Sequence, residues 1–222
     1  MSTASATPDH DPLASALRDL TDEFTGISAP QAVADCLADS YQALLPARLH
    51  GHLPLLAHRF ARERLRAAAR PLLPDQARVP LVLFVCTGNS GRSVIAAALL
   101  ERAGEGRVQV ASAGTAPADQ VQPEVLQVLR EAGVVEAADA FPKPLTAEIV
   151  GNADIVVTMG CGDSCAVTPG RRYLDWDVAD PAGQQVEAVR RIRDDIADRV
   201  AVLLTEITDF SQPDPQPTKE SA

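Results

Sequence analysis

Apolar residues recur every three or four positions over the first seventy residues, the spacing of helices that bury one face. Asp11 followed by Pro12 is typical of a helix start, because an aspartate caps free amides and proline fits the first turn. The pattern predicts three short helices that form a bundle over residues 11–72, the third spanning residues 55–70. Their apolar faces carry Leu13, Leu17, Leu20 and Phe24, then Val33, Leu37, Tyr41 and Leu44, then Leu56 and Phe60. The arginines of the third helix are predicted to face solvent: Arg59, Arg62, Arg64, Arg66 and Arg70.

From residue 80 the pattern changes to short β-branched runs that alternate with helical segments. Strands are predicted at 80–85, 108–112, 154–159 and 172–175. Helices are predicted from Pro123 to Arg130, from Thr146 to Gly151, and along a final segment opened by Asp180-Pro181. The apolar face of that last helix carries Val189, Ile192, Ile196, Val200, Leu203 and Ile207. This alternation predicts an α/β domain with a parallel four-stranded sheet flanked by helices.

The predicted organisation therefore has two folded parts. The polar start of the chain and its proline-rich end are predicted to be disordered. The expected boundaries are a disordered N-terminus at 1–10, the bundle at 11–72, a linker at 73–79, the α/β domain at 80–209 and a disordered tail at 210–222.

Composition narrows the possible partners. A net charge of −10 argues against a protein whose main partner is nucleic acid. The third predicted helix is arginine-rich, but it has no Asn, Gln, Ser or Thr beside those arginines, which a base-reading helix usually presents. No apolar run approaches the about 20 residues of a membrane span, and no export signal precedes the bundle. With four cysteines in 222 residues, we expect a cytoplasmic protein whose thiols do chemistry.

The first strand of the α/β domain leads into a motif that can bind an anion. A seven-residue turn follows the strand, with Cys86 at its start and Arg92 and Ser93 at the entrance of an Ala- and Leu-rich helix. Between Cys86 and Arg92 the turn contains Thr87, Gly88, Asn89, Ser90 and Gly91. Amides at a helix start attract anions, glycines let the backbone wrap around a ligand, and an arginine gives bidentate hydrogen bonds. We predict that residues 87–92 bind an oxyanion and that Cys86 attacks it as a thiolate. The spacing matches neither a nucleotide P-loop nor a dinucleotide fingerprint.

A second cysteine pair follows the third strand of this domain. Cys161 and Cys165 lie in a Gly- and Ser-containing loop, at the sheet edge that also holds Cys86 if the strands are parallel. A metal site is not expected, because all four histidines lie in the N-terminal third. The pair fits a redox role, in which Cys161 attacks the Cys86 adduct and Cys165 then attacks the resulting disulfide. Two incidental loop thiols are the alternative.

Asp180, in Asp-Pro-Ala-Gly, offers a carboxylate at the same edge of the sheet. It could cap the last helix, or it could transfer a proton to a leaving oxygen or from a thiol. The sequence leaves these roles open.

These motifs together resemble the low-molecular-weight tyrosine phosphatase fold, and within it the arsenate reductases, over about residues 79–207. The preceding helical bundle resembles actinobacterial members of that group. The resemblance implies that Cys86 attacks arsenate held by the loop and Arg92, that Ser93 supports the thiolate, and that Asn89 shapes the loop. It also implies that Cys161 then attacks Cys86 to release arsenite, and that a Cys161–Cys165 disulfide is re-reduced by thioredoxin. No tightly bound cofactor is expected.

The chain also departs from the pattern of the family. Gly91 stands where many members have a second cysteine, and Ala97 stands where some members have a glutamate near a bound potassium ion. Ala182 replaces the aromatic residue with which the phosphatases of this fold grip their substrate. Three alternatives to the thioredoxin-coupled reductase remain: a transferase that uses Cys86 alone and passes the arseno group to mycothiol, a tyrosine phosphatase, and an arsenic-responsive sensor.

Overall fold

The structure is a computed structural model that describes residues 11–46, 52–74, 78–134, 140–161 and 169–210, with side chains as far as residue 207. The N-terminal helices are α1 (Pro12–Glu23), α2 (Pro30–Leu44) and α3 (Leu53–Ala69), followed by a 3₁₀ turn at Arg70–Leu72. Then come β1 (Leu81–Cys86), α4 (Arg92–Gly104), β2 (Gln109–Gly114), α5 (Pro123–Glu131), α6 (Ala147–Asn152), β3 (Ile155–Met159), β4 (Arg172–Asp175) and α7 (Val186–Phe210).

The four strands form one parallel sheet in the order β2-β1-β3-β4. Every residue of β1 is buried, as its unbroken apolar run predicts for a central strand. Cys86 pairs with Gly114 on one side and with Met159 on the other, so three strands end at the same level. The four-stranded parallel sheet is confirmed, and β2 runs two residues further than predicted.

The two faces of the sheet are covered by different helices. Val82, Phe84 and Cys86 of β1 belong to a core cluster with α4, α5 and α7. The alternate residues, Leu81, Leu83 and Val85, belong to a second cluster with residues of α3 and α6. The helix α3 therefore has two roles, because it packs on α1 and α2 and also covers one face of the sheet.

Two arginines predicted to face solvent are buried. Arg64 Nη1 donates to Ser40 Oγ (3.0 Å) and its Nη2 donates to Glu148 Oε1 (2.6 Å). Arg70 Nη2 donates to Asp154 Oδ2 (2.5 Å). The prediction that these two arginines face solvent was wrong. Both guanidinium groups pair with carboxylates of the α/β domain, and these ion pairs offset the cost of burying a charge.

The predicted start of the last helix is also wrong. Asp180 Oδ1 accepts a hydrogen bond from the Ala182 amide (3.0 Å), which forms a tight turn, and α7 begins only at Val186. Aspartate bonds of this kind stabilise turns as readily as helix starts. Among the described helices, none has the length and apolar character required to cross a bilayer.

Candidate active site

A five-residue turn, residues 87–91, joins the end of β1 to the start of α4. Its carbonyl groups are held by the segment that follows β2. The amides of Thr115, Ala116, Ala118 and Gln122 donate to the carbonyls of Cys86, Thr87, Gly88 and Ser90, at 2.9–3.2 Å. The turn therefore has a fixed shape.

This hydrogen bonding decides where the amides of the turn point. A trans peptide carries its N–H opposite its C=O, so amides of residues 87, 88, 89 and 91 face away from the segment 115–122. They face the interior of the turn together with the N-terminus of α4, whose dipole adds partial positive charge. The turn and the helix start together form a cradle whose amides and partial positive charge suit an oxyanion.

The Cys86 thiol lies beside two buried polar side chains. Its Sγ is 3.0 Å from Ser93 Oγ, and Asn89 Nδ2 donates to the same Ser93 Oγ (2.9 Å). Because Ser93 accepts this bond from Asn89, its own hydroxyl proton is free to donate to the sulfur. Asn89 adopts a left-handed conformation with φ +45°, and its Oδ1 accepts from the Lys143 amide (3.0 Å). The geometry suits stabilisation of a thiolate.

Arg92 reaches across the mouth of the turn to the segment before α7. Its Nη2 forms an ion pair with Asp180 Oδ2 (2.7 Å), and its Nη1 contacts the Val178 carbonyl at 3.5 Å. The arginine side chain is 11% exposed and that of Asp180 is 54% exposed. The cation of the cradle and the predicted carboxylate therefore meet at the solvent edge of the site.

Glycine at two strand ends allows the backbone there to approach the turn and Arg92. A Cβ on Gly114, the last residue of β2, would lie 2.6 Å from the Thr87 carbonyl oxygen. A Cβ on Gly160, which follows β3 with φ +69°, would overlap with Arg92 Nη1. Sequence reasoning did not identify either as part of the site. The signal available was a glycine directly after a buried strand, at the edge where ligands bind.

Cys161 lies just beyond Gly160, at the same edge of the sheet. Thr87 Oγ1 donates to the Gly160 carbonyl (3.1 Å), which joins the turn to this segment. Cys161 is buried and disulfide-bonded, whereas Cys36 and Cys86 are free thiols. Its side chain packs in the cluster that contains α3, and Cys86 packs in the cluster on the other face.

The structure thus brings together most residues predicted for the site. Thr87 is exposed, whereas Asn89, Ser90 and Ser93 are buried around Cys86. A Cβ on Gly91 would lie 2.6 Å from Pro181 Cγ, which places Asp180-Pro181 against the turn. Cys165 lies outside the described residues.

Comparison with known families matches both parts of the chain. A model of the family described as low molecular weight phosphotyrosine protein phosphatase matches residues 81–212. A model described as the protein-tyrosine-phosphatase-like N-terminal domain matches residues 13–69.

Known proteins similar to this chain include arsenate reductases and also phosphatases, such as the YwlE arginine phosphatase of Geobacillus stearothermophilus (28% identity, TM-score 0.52, 59% of this chain and 94% of that one). The thioredoxin-dependent arsenate reductase of Corynebacterium glutamicum superimposes with a TM-score of 0.80 and 38% identity, over 91% of this chain and 99% of that one. A putative arsenate reductase of Halobacterium salinarum is 39% identical over 128 residues, 55% of this chain and 89% of that protein. A glutaredoxin arsenate reductase of Synechocystis is 30% identical over 131 residues, 57% of this chain and 98% of that protein.

Proposed function

The chain belongs to the low molecular weight phosphotyrosine protein phosphatase family, among its arsenate reductases, and we propose that it reduces arsenate to arsenite through Cys86. The observation that supports this most is the position of Cys86 Sγ, 3.0 Å from Ser93 Oγ at the base of an amide-lined turn. An arsenate in that turn would present its arsenic atom to the sulfur while its oxygens accept from the amides and Arg92.

In the first step, the Cys86 thiolate forms a bond to arsenic(V), and one arsenate oxygen leaves as water after taking up protons. Ser93 donates to the thiolate, and Asn89 holds the serine hydroxyl in place. Arg92 binds the arsenate oxygens after these replace Asp180 as the partners of its guanidinium group. Once Arg92 turns to the arsenate, the solvent-exposed carboxylate of Asp180 takes up a proton from water, and we propose that the resulting carboxyl protonates the leaving oxygen.

In the second step, the Cys161 thiolate attacks Cys86 Sγ. The sulfur–arsenic bond breaks, its electron pair stays on arsenic, and arsenite leaves with arsenic(III) while two thiols become one disulfide. Cys165 then attacks Cys161, which frees Cys86 and leaves a Cys161–Cys165 disulfide. Since Cys161 packs in the cluster on the opposite face of the sheet from Cys86 in its disulfide-bonded form, the Cys161 sulfur has to move before it can reach Cys86.

We propose thioredoxin as the reductant, because the superimposed Corynebacterium enzyme is described as thioredoxin-dependent. The Synechocystis relative is described as a glutaredoxin enzyme, so thiol-dependent reduction is the feature that both have in common. A relay of this kind needs a reducing compartment, and the proposal therefore places the chain in the cytoplasm.

The test is arsenate-dependent oxidation of NADPH in the presence of thioredoxin and thioredoxin reductase. We expect turnover by the wild type, none by Cys86→Ser or Cys161→Ser, and release of no more than one arsenite per chain by Cys165→Ser. Cys36→Ser is the matched control, since Cys36 is a free thiol within the bundle and should be dispensable.

Other outcomes would identify the alternatives. Turnover with mycothiol that survives Cys161→Ser would indicate a transferase that uses Cys86 alone. Rapid hydrolysis of an aryl phosphate without any thiol donor would indicate a phosphatase. If the wild type showed no activity with any donor, an enzymatic role would be contradicted.

A further inference from the structure

The helix α3 is joined to the nucleophile by a short series of polar contacts. Glu63 of this helix forms an ion pair with Lys143, with Oε2 2.9 Å from Nζ. The backbone amide of the same lysine donates to Asn89 Oδ1 (3.0 Å). Asn89 in turn donates to Ser93, and Ser93 contacts Cys86. One residue of the bundle thus lies four contacts from the reacting sulfur.

We propose that Glu63 is a positioning residue for Cys86, acting through Lys143 and Asn89. The inference rests on the proposed function of Cys86 as the nucleophile, and it assigns the N-terminal bundle a part in that site. Glu63 itself touches neither the cradle nor the sulfur.

The Lys143 side chain is well fixed in this arrangement. It is 13% exposed, Glu63 is 22% exposed, and an ion pair this sheltered is screened less by solvent than a surface pair. The Lys143 ammonium also lies 5.2 Å from the centre of the Phe141 ring, two residues before it. The ammonium of Lys143 is thereby held by both Glu63 and Phe141.

The backbone of Lys143 has little freedom as well. Its carbonyl accepts from the Gly114 amide (2.9 Å) at the end of β2, while its amide holds Asn89. Asn89 is fully buried with φ +45°, in the left-handed region that asparagine tolerates better than most residues, and its side chain bonds both Lys143 and Ser93. A shift of residue 143 therefore reaches the Asn89 amide directly, and with it the direction of the Ser93 hydroxyl.

The charged groups around Lys143 come from several elements. A cavity of about 120 Å³ beside it is lined also by Arg59 of α3 and Glu101 of α4. Without the Glu63 carboxylate, the Lys143 ammonium would be left in a cavity that it shares with Arg59 and Glu101, and we expect a rearrangement away from Arg59 and toward Glu101. We expect that rearrangement to weaken the contact between residue 143 and Asn89.

The experiment measures alkylation of Cys86 by iodoacetamide in the reduced full-length chain, followed by mass spectrometry of the Cys86 peptide from pH 5 to 10. Only the thiolate reacts, so the profile reports the surroundings of the sulfur without requiring arsenate reduction. For Glu63→Gln we expect a rate about fivefold lower than wild type near neutral pH, converging at high pH, a size typical of residues that act through others.

The matched control is Glu148→Gln. Glu148 lies in the α/β domain and forms an ion pair with Arg64 of α3, so this variant also removes an ion pair between α3 and the α/β domain. It should lower thermal stability and leave the Cys86 profile unchanged. The swapped double variant Glu63→Lys with Lys143→Glu restores opposite charges and should recover most of the wild-type rate. Should Glu63→Gln not fold, Lys143→Gln breaks the same pair from the other side.

The outcomes separate the two proposals. Slower alkylation of Cys86 in Glu63→Gln, together with a wild-type alkylation rate in Glu148→Gln, supports the positioning role, even if no arsenate is reduced. Equal profiles in wild type and Glu63→Gln, or equal slowing in both single variants, overturn it, whether or not the enzyme reduces arsenate.

Discussion

Gly160 lies directly against the guanidinium of Arg92, so close that a Cβ on Gly160 would overlap with Nη1. Gly160 also accepts a hydrogen bond from Thr87 Oγ1 (3.1 Å). The residue between the end of β3 and Cys161 therefore touches both the turn after β1 and Arg92. Any side chain at this position displaces Arg92 from the mouth of the site.

Gly160→Ala should consequently weaken arsenate binding. The displaced guanidinium no longer reaches the oxygens of the bound anion, and a misplacement of about 1 Å in such groups can cost roughly a hundredfold in activity. We expect KM for arsenate to rise by about tenfold or more in the thioredoxin-coupled assay.

The control for this substitution is Gly106→Ala. Gly106 has a similar φ of +80°, but nothing lies within 4 Å of its Cβ position. Both variants should lose about 1–2 kcal/mol of stability from the left-handed backbone, while only Gly160→Ala changes KM. A similar KM in the two variants would contradict the role of the Gly160–Arg92 contact.

The Arg92–Asp180 ion pair leads to a second prediction. Asp180→Asn removes the carboxylate that occupies Arg92, so a competing oxyanion such as phosphate should bind at least as well as in the wild type. The same variant lacks the proposed proton donor, and loss of a general acid typically lowers the rate by about 10²–10⁴. We expect kcat to fall and the inhibition constant of phosphate to stay level or decrease. Asp177→Asn, an exposed neighbour, should change neither quantity.

The position of the turn between β1 and α4 could be predicted because its determinants are contiguous in sequence. A buried strand, a glycine-containing turn and a helix start follow one another from Leu81 to Ser93, and each has a local signature. The parallel sheet then placed the end of β3, and with it Gly160 and Cys161, at the same edge.

The positions that could not be predicted depend on partners far away in the chain. Helical spacing gives the direction of Arg64 relative to its own helix, but its burial depends on Glu148, 84 residues later. Asp180-Pro181 carries a local helix-start signal, yet Asp180 pairs with Arg92, 88 residues earlier. Local patterns carry no information on such pairs.

The burial of Arg64 leads to a prediction about stability. Arg64→Met leaves Glu148 without its cation and Ser40 without its donor, at an interface between the bundle and α6. Breaking a buried pair costs about 3–5 kcal/mol, and since the Glu148 side chain is 38% exposed, we expect about 2 kcal/mol in urea unfolding. Arg62→Met, whose side chain is 43% exposed, should cost less than about 1 kcal/mol. Equal losses would contradict the distinction.

The pairing of Glu131 with Arg190 joins α5 to α7 and predicts a pH dependence. Two hydrogen bonds of 2.8 Å from Arg190, together with one from Gln127, lower the pKa of Glu131 to about 2. The unfolded chain takes up this proton near pH 4.5, well before the folded chain does. The stabilisation from the pair is therefore complete above pH 4.5 and is lost progressively as the pH falls toward 2.

Thermal unfolding from pH 7 to pH 2.5 tests this. The wild type should lose stability more steeply below pH 4.5 than Glu131→Gln, because the variant has no carboxylate to protonate. The difference should be small and should shrink in high salt, since Glu131 is exposed to solvent. Glu124→Gln, on the same helix, should follow the wild-type slope. If Glu131→Gln also followed the wild-type slope, acid sensitivity in this range would have to come from other carboxylates, such as Glu23 and Glu148, whose pKa values are also lowered.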